Sequence, residues 1–175
     1  MGFSCHDMYI EDNIGYFNRG TAGMYVYDLT NNTPQNMGFI DTYPYHGYNH
    51  SGWLSYNDSI YVFADETHGT HLKVADVSNY NNITVLSTLT SGTAPNAIPH
   101  NLIIKDDYLY ISYYHDGLQI FDISDPYNPI KVGYYDTYSP NNHNGYAGAW
   151  GVYPLLPSGI ILVSDIQSGL FVLKF

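Results

Sequence analysis

Residues 100–138 read HNLIIKDDYLYISYYHDGLQIFDISDPYNPIKVGYYDTY, a stretch of short apolar runs separated by turns. The four runs are Leu102 to Ile104, Tyr108 to Tyr113, Leu118 to Ile123 and Ile130 to Tyr135. Aromatic and β-branched residues fill these runs, as in half-buried strands, while Asp, Gly and Pro occupy the gaps between them. Four strands in about forty residues is the size of one blade of a β-propeller.

Three other segments repeat this pattern, which places the repeats of a single domain (1–175) at about residues 6–45, 50–90, 100–138 and 148–175. The last repeat ends at Phe175 before its outer strand, so we expect an incomplete last blade. Each repeat makes a sheet with two apolar faces, and neighbouring blades can cover both. The sequence therefore predicts four blades of about four antiparallel strands, arranged as a partial or half propeller. A β-solenoid or an irregular sandwich is the alternative.

Composition supports an all-β class, since aromatics make up 17% of the chain and glycines and prolines number 16 and 9. The formal charge of −11 argues against a nucleic-acid partner, because a phosphate backbone needs a basic surface. The single cysteine, Cys5, excludes an internal disulfide framework. No segment approaches the length of a membrane span. Strand-like sequence begins almost at Met1, so we expect no signal peptide in this chain, which is then cytosolic, or a fragment or mature form without its leader.

Histidine opens three of the four repeats, and Trp150 stands in about the same place in the fourth. The histidines are His6, His50 and His100. Equivalent positions of a propeller lie at one radius, so we expect these imidazoles to converge near one end of the axis. Imidazole nitrogens and carboxylates are common ligands of zinc. The carboxylates that we expect at this mouth are those of Asp7, Asp65 and Glu66.

Other interpretations of these residues stay open. Calcium would be coordinated by aspartates and backbone carbonyls instead. Each histidine can also be a repeat residue that hydrogen-bonds the backbone of the adjacent blade. His68 and His71, near Glu66, form a second candidate cluster, although we expect a solvated loop in preference to a metal site there. Cys5 is either a further soft ligand or a small buried hydrophobe.

Aromatic side chains at an open face favour recognition of a glycan or a peptide, and the candidate ligand-binding residues are Trp53, Trp150 and Asn101. The sequence has no Gly-x-Ser-x-Gly elbow, P-loop or Gly-x-Gly-x-x-Gly motif, so serine-hydrolase and nucleotide-binding functions lack local support. We expect the remaining histidines to be exposed in turns. They are His46, His115 and His143.

A recurrent Asp-apolar-Ser/Thr motif, followed in the third repeat by Asp125-Pro126, resembles the LVIVD repeat. The chain further resembles the C-terminal half of the choice-of-anchor B family of bacterial surface proteins. The segments that carry this second resemblance are 50–54, 65–66, 100–102, 148–150 and 157–173. The resemblance implies a larger β-propeller that is exported and attached to the cell surface.

We therefore expect a non-catalytic propeller module of an exported bacterial surface protein, which binds a protein or glycan partner or assembles with further copies or blades. The first alternative is a metal-dependent, hydrolase-like enzyme, with His6, His50 and His100 as ligands and Glu66 as general base. The second alternative is a structural subunit that assembles through its blade faces.

Overall fold

The computed structural model describes residues 4–92, 97–141 and 143–175, which form four antiparallel sheets that follow one another along the chain. The first sheet contains β1 (Asp7–Glu11), β2 (Ile14–Asn18), β3 (Met24–Asp28) and β4 (Gln35–Ile40). The second contains β5 (Asn49–Leu54), β6 (Ile60–Asp65), β7 (Leu72–Asp76) and β8 (Thr84–Leu89). The third contains β9 (Leu102–Lys105), β10 (Tyr108–Ser112), β11 (Leu118–Asp122) and β12 (Ile130–Tyr135). The fourth contains β13 (Ala149–Tyr153), β14 (Ile160–Asp165) and β15 (Gly169–Lys174).

Each strand pairs with its neighbours in sequence, so every sheet is a meander and corresponds to one blade. The predicted all-β class is confirmed, and the fourth blade lacks an outer strand as expected. A single 3₁₀ turn (Tyr80–Asn82) precedes β8, and the described ranges contain no α-helix. No helix in the described ranges has the length and apolar character that a membrane crossing requires.

The Asp-apolar-Ser/Thr motif ends the third strand of each complete blade. Asp28 Oδ1 accepts hydrogen bonds from the backbone N–H of Thr30 at 2.8 Å and from its hydroxyl at 2.5 Å. Asp76 accepts the same pair of bonds from Ser78, at 2.9 and 2.6 Å. These bonds to the ionised carboxylate lower the pKa of Asp28, and they fix the turn that leads into the fourth strand. In the fourth blade the corresponding residue is Lys174, so this turn is not built there.

Side chains from facing blades form three hydrophobic clusters, one at each junction between consecutive blades. Tyr16, Met24 and Val26 of the first blade pack against the second. Val62 and Val74 occupy the corresponding positions of the second blade and pack against the third. We call the face that a blade turns toward the next blade its forward face, and the opposite one its rear face.

The rear face of the first blade and the forward face of the fourth blade are not covered by a neighbouring blade. The described residues contain no hydrophobic cluster that joins the first blade to the fourth. Met8 and Ile10 on the rear face of the first blade are 49% and 51% exposed. Leu170 and Val172 on the forward face of the fourth blade are 64% and 60% exposed. Two sheet faces of core-like composition therefore remain in contact with solvent.

Candidate metal centre at the inner strands

Strand register places the three repeat histidines at equivalent positions. The paired residues Met8–Phe17, Gly52–Phe63, Leu102–Ile111 and Val152–Val163 hold the same place in the four blades. The residue two positions before the first member of each pair is His6, His50, His100 and Trp150, respectively. The tryptophan of the fourth repeat thus occupies the place of a fourth histidine.

These four rings form a continuous row along the innermost strands. The ring centroids of His6 and His50 are 4.4 Å apart, and those of His50 and His100 are 4.3 Å apart. The ring of Trp150 follows at 4.1 Å from that of His100. The structure therefore brings all three predicted imidazoles together, while their role as metal ligands stays a prediction.

Glu66, at the start of the loop after β6, places its carboxylate against this row. Its Oε2 lies 3.6 Å from His50 Nδ1, and its Oε1 lies 3.7 Å from His100 Nε2. One ligand atom each from His6, His50 and Glu66 can be chosen so that all three lie within 4.8 Å of one another. The hydroxyl of Tyr114 donates a hydrogen bond to Glu66 Oε1, which holds the carboxylate in place.

The protonation of His100 follows from its hydrogen bonds. A backbone carbonyl can only accept, so His100 Nδ1 donates to the Trp150 carbonyl oxygen, at 2.5 Å. Burial and the nearby His50 imidazole lower the pKa of His100 to about 3, so the ring is neutral near pH 7. Its Nε2 therefore carries a lone pair, is buried and has no hydrogen-bond partner among the described residues.

His50 has a similar environment. Burial lowers its pKa, an effect that the Glu66 carboxylate opposes. Both ring nitrogens are buried, and the Asn101 side chain also interacts with the ring and favours its protonated form. His6 is exposed, and its Nδ1 lies 3.2 Å from the Tyr48 hydroxyl.

The structure separates the three predicted carboxylates. Glu66 lies against the imidazoles, whereas Asp65 pairs with a buried lysine. The Oδ2 atom of Asp65 lies 3.0 Å from Lys73 Nζ, and neither side chain is exposed. The Asp65 carboxylate also accepts hydrogen bonds from the Tyr43 hydroxyl and the Gly47 N–H. The prediction that Asp65 lies at the mouth beside the histidines was wrong, because its carboxylate forms this buried ion pair with Lys73 instead.

Asp7 is exposed and lines a cavity of about 290 Å³ beside the histidine row. Inner strands of all four blades contribute to this cavity, which shows that they surround a common space. The lining residues are Asp7, Met8, Tyr9, Gly52, Trp53, Asn101, Leu102, Ile103, Gly151 and Val152. Two of the candidate ligand-binding residues, Trp53 and Asn101, therefore line one cavity, and the third, Trp150, lies next to His100 instead.

The remaining histidines divide into three groups. His46 and His143 are exposed, as predicted. His115 is 3% exposed, so that prediction was wrong, because packing of the β10–β11 turn against the segment around His143 covers it. His71 stacks on Tyr45 at 3.8 Å and bonds Thr88, and His68 lies against Tyr146. His68 and His71 thus have separate partners, and neither belongs to the histidine row.

Sequence reasoning missed two residues of this region, Tyr114 and Lys73. Tyr114 follows the predicted run Tyr108 to Tyr113 and was given no role, although its hydroxyl holds Glu66. Lys73 carried a usable signal, because a charged residue inside the apolar strand β7 needs a buried partner.

Comparisons with known proteins agree with the fold. The family model of the LVIVD repeat matches residues 99–137. The chain is a β-propeller-type repeat protein. It resembles the periplasmic gluconolactonase PpgL of Pseudomonas aeruginosa, with a TM-score of 0.72 and 15% identity over 96% of this chain and 49% of that chain.

Two further solved structures resemble the propeller. For the WD40 β-propeller domain of Doa1 the TM-score is 0.67 at 12% identity, covering 99% of this chain and 53% of that one. For the computationally designed Ika4 protein the TM-score is 0.67 at 11% identity, covering 100% and 93%. The chain thus spans about half the length of the PpgL and Doa1 chains. No curated protein matches the chain. At these identities the likeness concerns the fold alone, and the resemblance to the choice-of-anchor B family stays a prediction.

Proposed function

We propose that this propeller module binds a divalent transition metal ion of the zinc class at His6, His50 and Glu66, with His100 as a further ligand beside the second oxygen of the Glu66 carboxylate. The observation that carries the proposal is the buried lone pair of His100 Nε2, which faces a carboxylate oxygen at 3.7 Å with no donor between them. Two electron-rich atoms repel each other in a buried site. A bound cation turns this contact into a favourable one.

The spacing of the ligand atoms supports a metal ion of this size. In a tetrahedral zinc site with bonds of about 2.0–2.1 Å, neighbouring ligand atoms are about 3.3 Å apart. The 3.6 Å distance from Glu66 Oε2 to His50 Nδ1 is close to this value, and one ligand atom of His6 completes a group within 4.8 Å. His100 Nε2 lies 3.7 Å from the other carboxylate oxygen, Oε1. Nitrogen donors also favour zinc or a similar metal over calcium, which prefers oxygen ligands.

The groups behind the ligands support the same assignment. In metal sites the second ring nitrogen of a ligating histidine usually donates to a backbone carbonyl or a carboxylate, which raises its basicity. His100 has this arrangement through the Trp150 carbonyl. The Tyr114 hydroxyl plays the corresponding part for Glu66.

The purely structural alternative explains less. His100 does hydrogen-bond the backbone of the next blade, as that alternative requires. His50 does not, because the polar groups beside its buried ring are the side chains of Glu66 and Asn101 and not a backbone carbonyl. A buried imidazole whose nitrogens make no close hydrogen bond costs free energy, and a metal ion removes that cost.

A binding role fits this geometry better than catalysis. Glu66 faces two imidazoles and holds the Tyr114 hydroxyl, which suits a ligand rather than a general base. An exported surface module remains the proposed setting, on the strength of the family resemblance. Its proposed partner at the cell surface is a protein or a glycan.

Metal titration of the purified protein tests this proposal. After treatment with EDTA, Zn²⁺ should bind with a stoichiometry of one ion per chain in calorimetry, and Ca²⁺ should not compete. Glu66→Gln keeps the size of the side chain but removes its charge, and it should weaken Zn²⁺ binding by at least tenfold. Absence of stoichiometric Zn²⁺ binding, or unchanged affinity in Glu66→Gln, would refute the proposal.

A further inference from the structure

The exposed forward face of the fourth blade has the composition of an interface between blades. In the third blade, Tyr110, Leu118 and Ile120 form the forward face and are buried against the fourth blade. The strand register gives their equivalents in the fourth blade, which are Leu162, Leu170 and Val172. The same three positions are therefore apolar in both blades, but only the third blade has a neighbour to cover them.

The rear face of the first blade is the complementary unpartnered surface. Leu54 of the second blade and Ile104 of the third are buried in the clusters at their rear faces, and Ile10 is their equivalent in the first blade. Met8 lies on the same face of strand β1 as Ile10, two residues away. Phe39, which is 51% exposed, stacks on Tyr25 at 5.1 Å and extends the apolar surface outward.

We propose that the forward face of the fourth blade docks on the rear face of the first blade of a second copy of this chain. Three junctions within the chain already join a forward face to a rear face, so the contact continues an interface that the protein uses repeatedly. A two-fold axis relates the copies, and the two end-to-end contacts are then identical. Two chains of four blades close one eight-bladed ring, which is within the range of known propellers.

Two observations favour a second copy as the occupant. Closure of the chain on itself would bury the end faces against each other, but Ile10 and Leu170 remain 51% and 64% exposed. The chain also spans only 49% and 53% of the PpgL and Doa1 propeller structures, so one chain corresponds to about half of such a molecule.

Charge predicts how the association depends on salt. Each copy carries a formal charge of −11, so two copies repel each other at long range. The apolar end faces supply the attraction at contact. Added salt screens the repulsion, and the dimer should therefore become more stable between about 0.05 and 0.5 M NaCl.

Sedimentation of the purified chain tests the docking. The wild type should sediment with twice the chain mass of 19.7 kDa at micromolar concentration. Leu170→Lys should shift it to the monomer mass, because a charge placed in an apolar interface is costly to desolvate. Ile130→Lys is the matched control, since Ile130 is also 64% exposed but lies on the outer strand of the third blade, away from both end faces.

A mixing experiment shows which faces meet. Leu170→Lys and Ile10→Glu alter opposite end faces and should each be monomeric alone. Mixed in equal amounts, they should form a heterodimer, since one junction is unaltered and the other brings opposite charges together. Circular dichroism of both variants verifies that they are folded. A monomeric wild type, a dimeric and folded Leu170→Lys variant, or a mixture that stays monomeric would overturn the proposal.

Discussion

His100 Nδ1 donates to the carbonyl oxygen of Trp150, so the backbone at the equivalent position of the fourth repeat fixes the orientation of the third histidine. This bond leaves His100 Nε2 as a free lone pair directed at the Glu66 carboxylate. The same row contains His50 at its centre and His6 at its exposed end. The three imidazoles are thus equivalent by repeat position but differ in burial and orientation.

This difference predicts a graded loss of zinc affinity. His100→Ala and His50→Ala remove buried ligands and should weaken binding by at least about 100-fold, while His6→Ala should cost about tenfold. Calorimetry with Zn²⁺ measures each affinity. His46→Ala is the control, because His46 is exposed and lies outside the row, and it should bind as the wild type does. Equal affinities for His50→Ala and His46→Ala would contradict the assignment.

The Tyr114 hydroxyl gives a second prediction about the same site. Tyr114→Phe removes the hydrogen bond that orients Glu66, and outer groups of this kind contribute about 10–100-fold to metal affinity. We therefore expect a loss in that range without a change in stoichiometry. Tyr113→Phe is a matched control, since the neighbouring hydroxyl bonds Thr70 O at 3.4 Å and not a ligand. If both variants bind zinc equally well, Tyr114 has no role in orienting Glu66.

The buried ion pair between Asp65 and Lys73 predicts a large effect on stability. Burial lowers the pKa of Lys73, and Asp65 opposes this shift, so the ammonium depends on its partner. Lys73→Met leaves an unpaired buried carboxylate and should lower the free energy of unfolding by about 3–5 kcal/mol in urea denaturation. Lys105→Met, at a half-exposed lysine, should change it by less than about 1 kcal/mol.

A double-mutant cycle identifies the cause of that loss. Asp65→Asn removes the charge but keeps hydrogen-bonding atoms for the Tyr43 and Gly47 groups. Combined with Lys73→Met, it should restore part of the stability lost in Lys73→Met alone. Additive effects of the two substitutions would show that the pair is not coupled.

The sequence was sufficient to predict the blades because each strand carries its own local signals. The Asp-apolar-Ser/Thr turn and the runs of aromatic and β-branched residues in β10 and β11 are examples. Equivalent repeat positions also predicted that His6, His50 and His100 share a radius. Lys73 indicates a buried partner, but which carboxylate it pairs with could not be predicted, because Asp65 and Glu66 are adjacent in the chain and have different neighbours.

His115 is a second residue whose surroundings could not be predicted from the sequence, since its burial depends on a segment almost thirty residues away. A turn containing Asp and Gly reads as exposed, and only the packing of the His143 segment reverses that expectation. Tertiary contacts of this kind have no local signature. Long-range packing therefore decides the charge state and burial of side chains that sequence patterns alone misplace.

The burial of His115 also predicts a pH dependence of stability. Burial lowers its pKa, the adjacent His143 adds to this effect, and Asp116 opposes it, with His68 as a weaker influence. An unfolded histidine has a pKa of about 6.5. Below that pH the unfolded chain binds more protons at this position than the folded chain, so the free energy of unfolding falls as the solution becomes more acidic. Above it, His115 contributes no pH dependence.

Urea denaturation in EDTA at several pH values between about 7.5 and 4.5 measures this effect, with a slope from His115 of at most about 1.4 kcal/mol per pH unit. His115→Gln cannot be protonated in this range, so its stability should fall less steeply than that of the wild type. His46→Gln replaces an exposed imidazole and should follow the wild-type curve. A His115→Gln curve parallel to the wild type would show that the buried imidazole takes up its proton as readily in the folded chain as in the unfolded one.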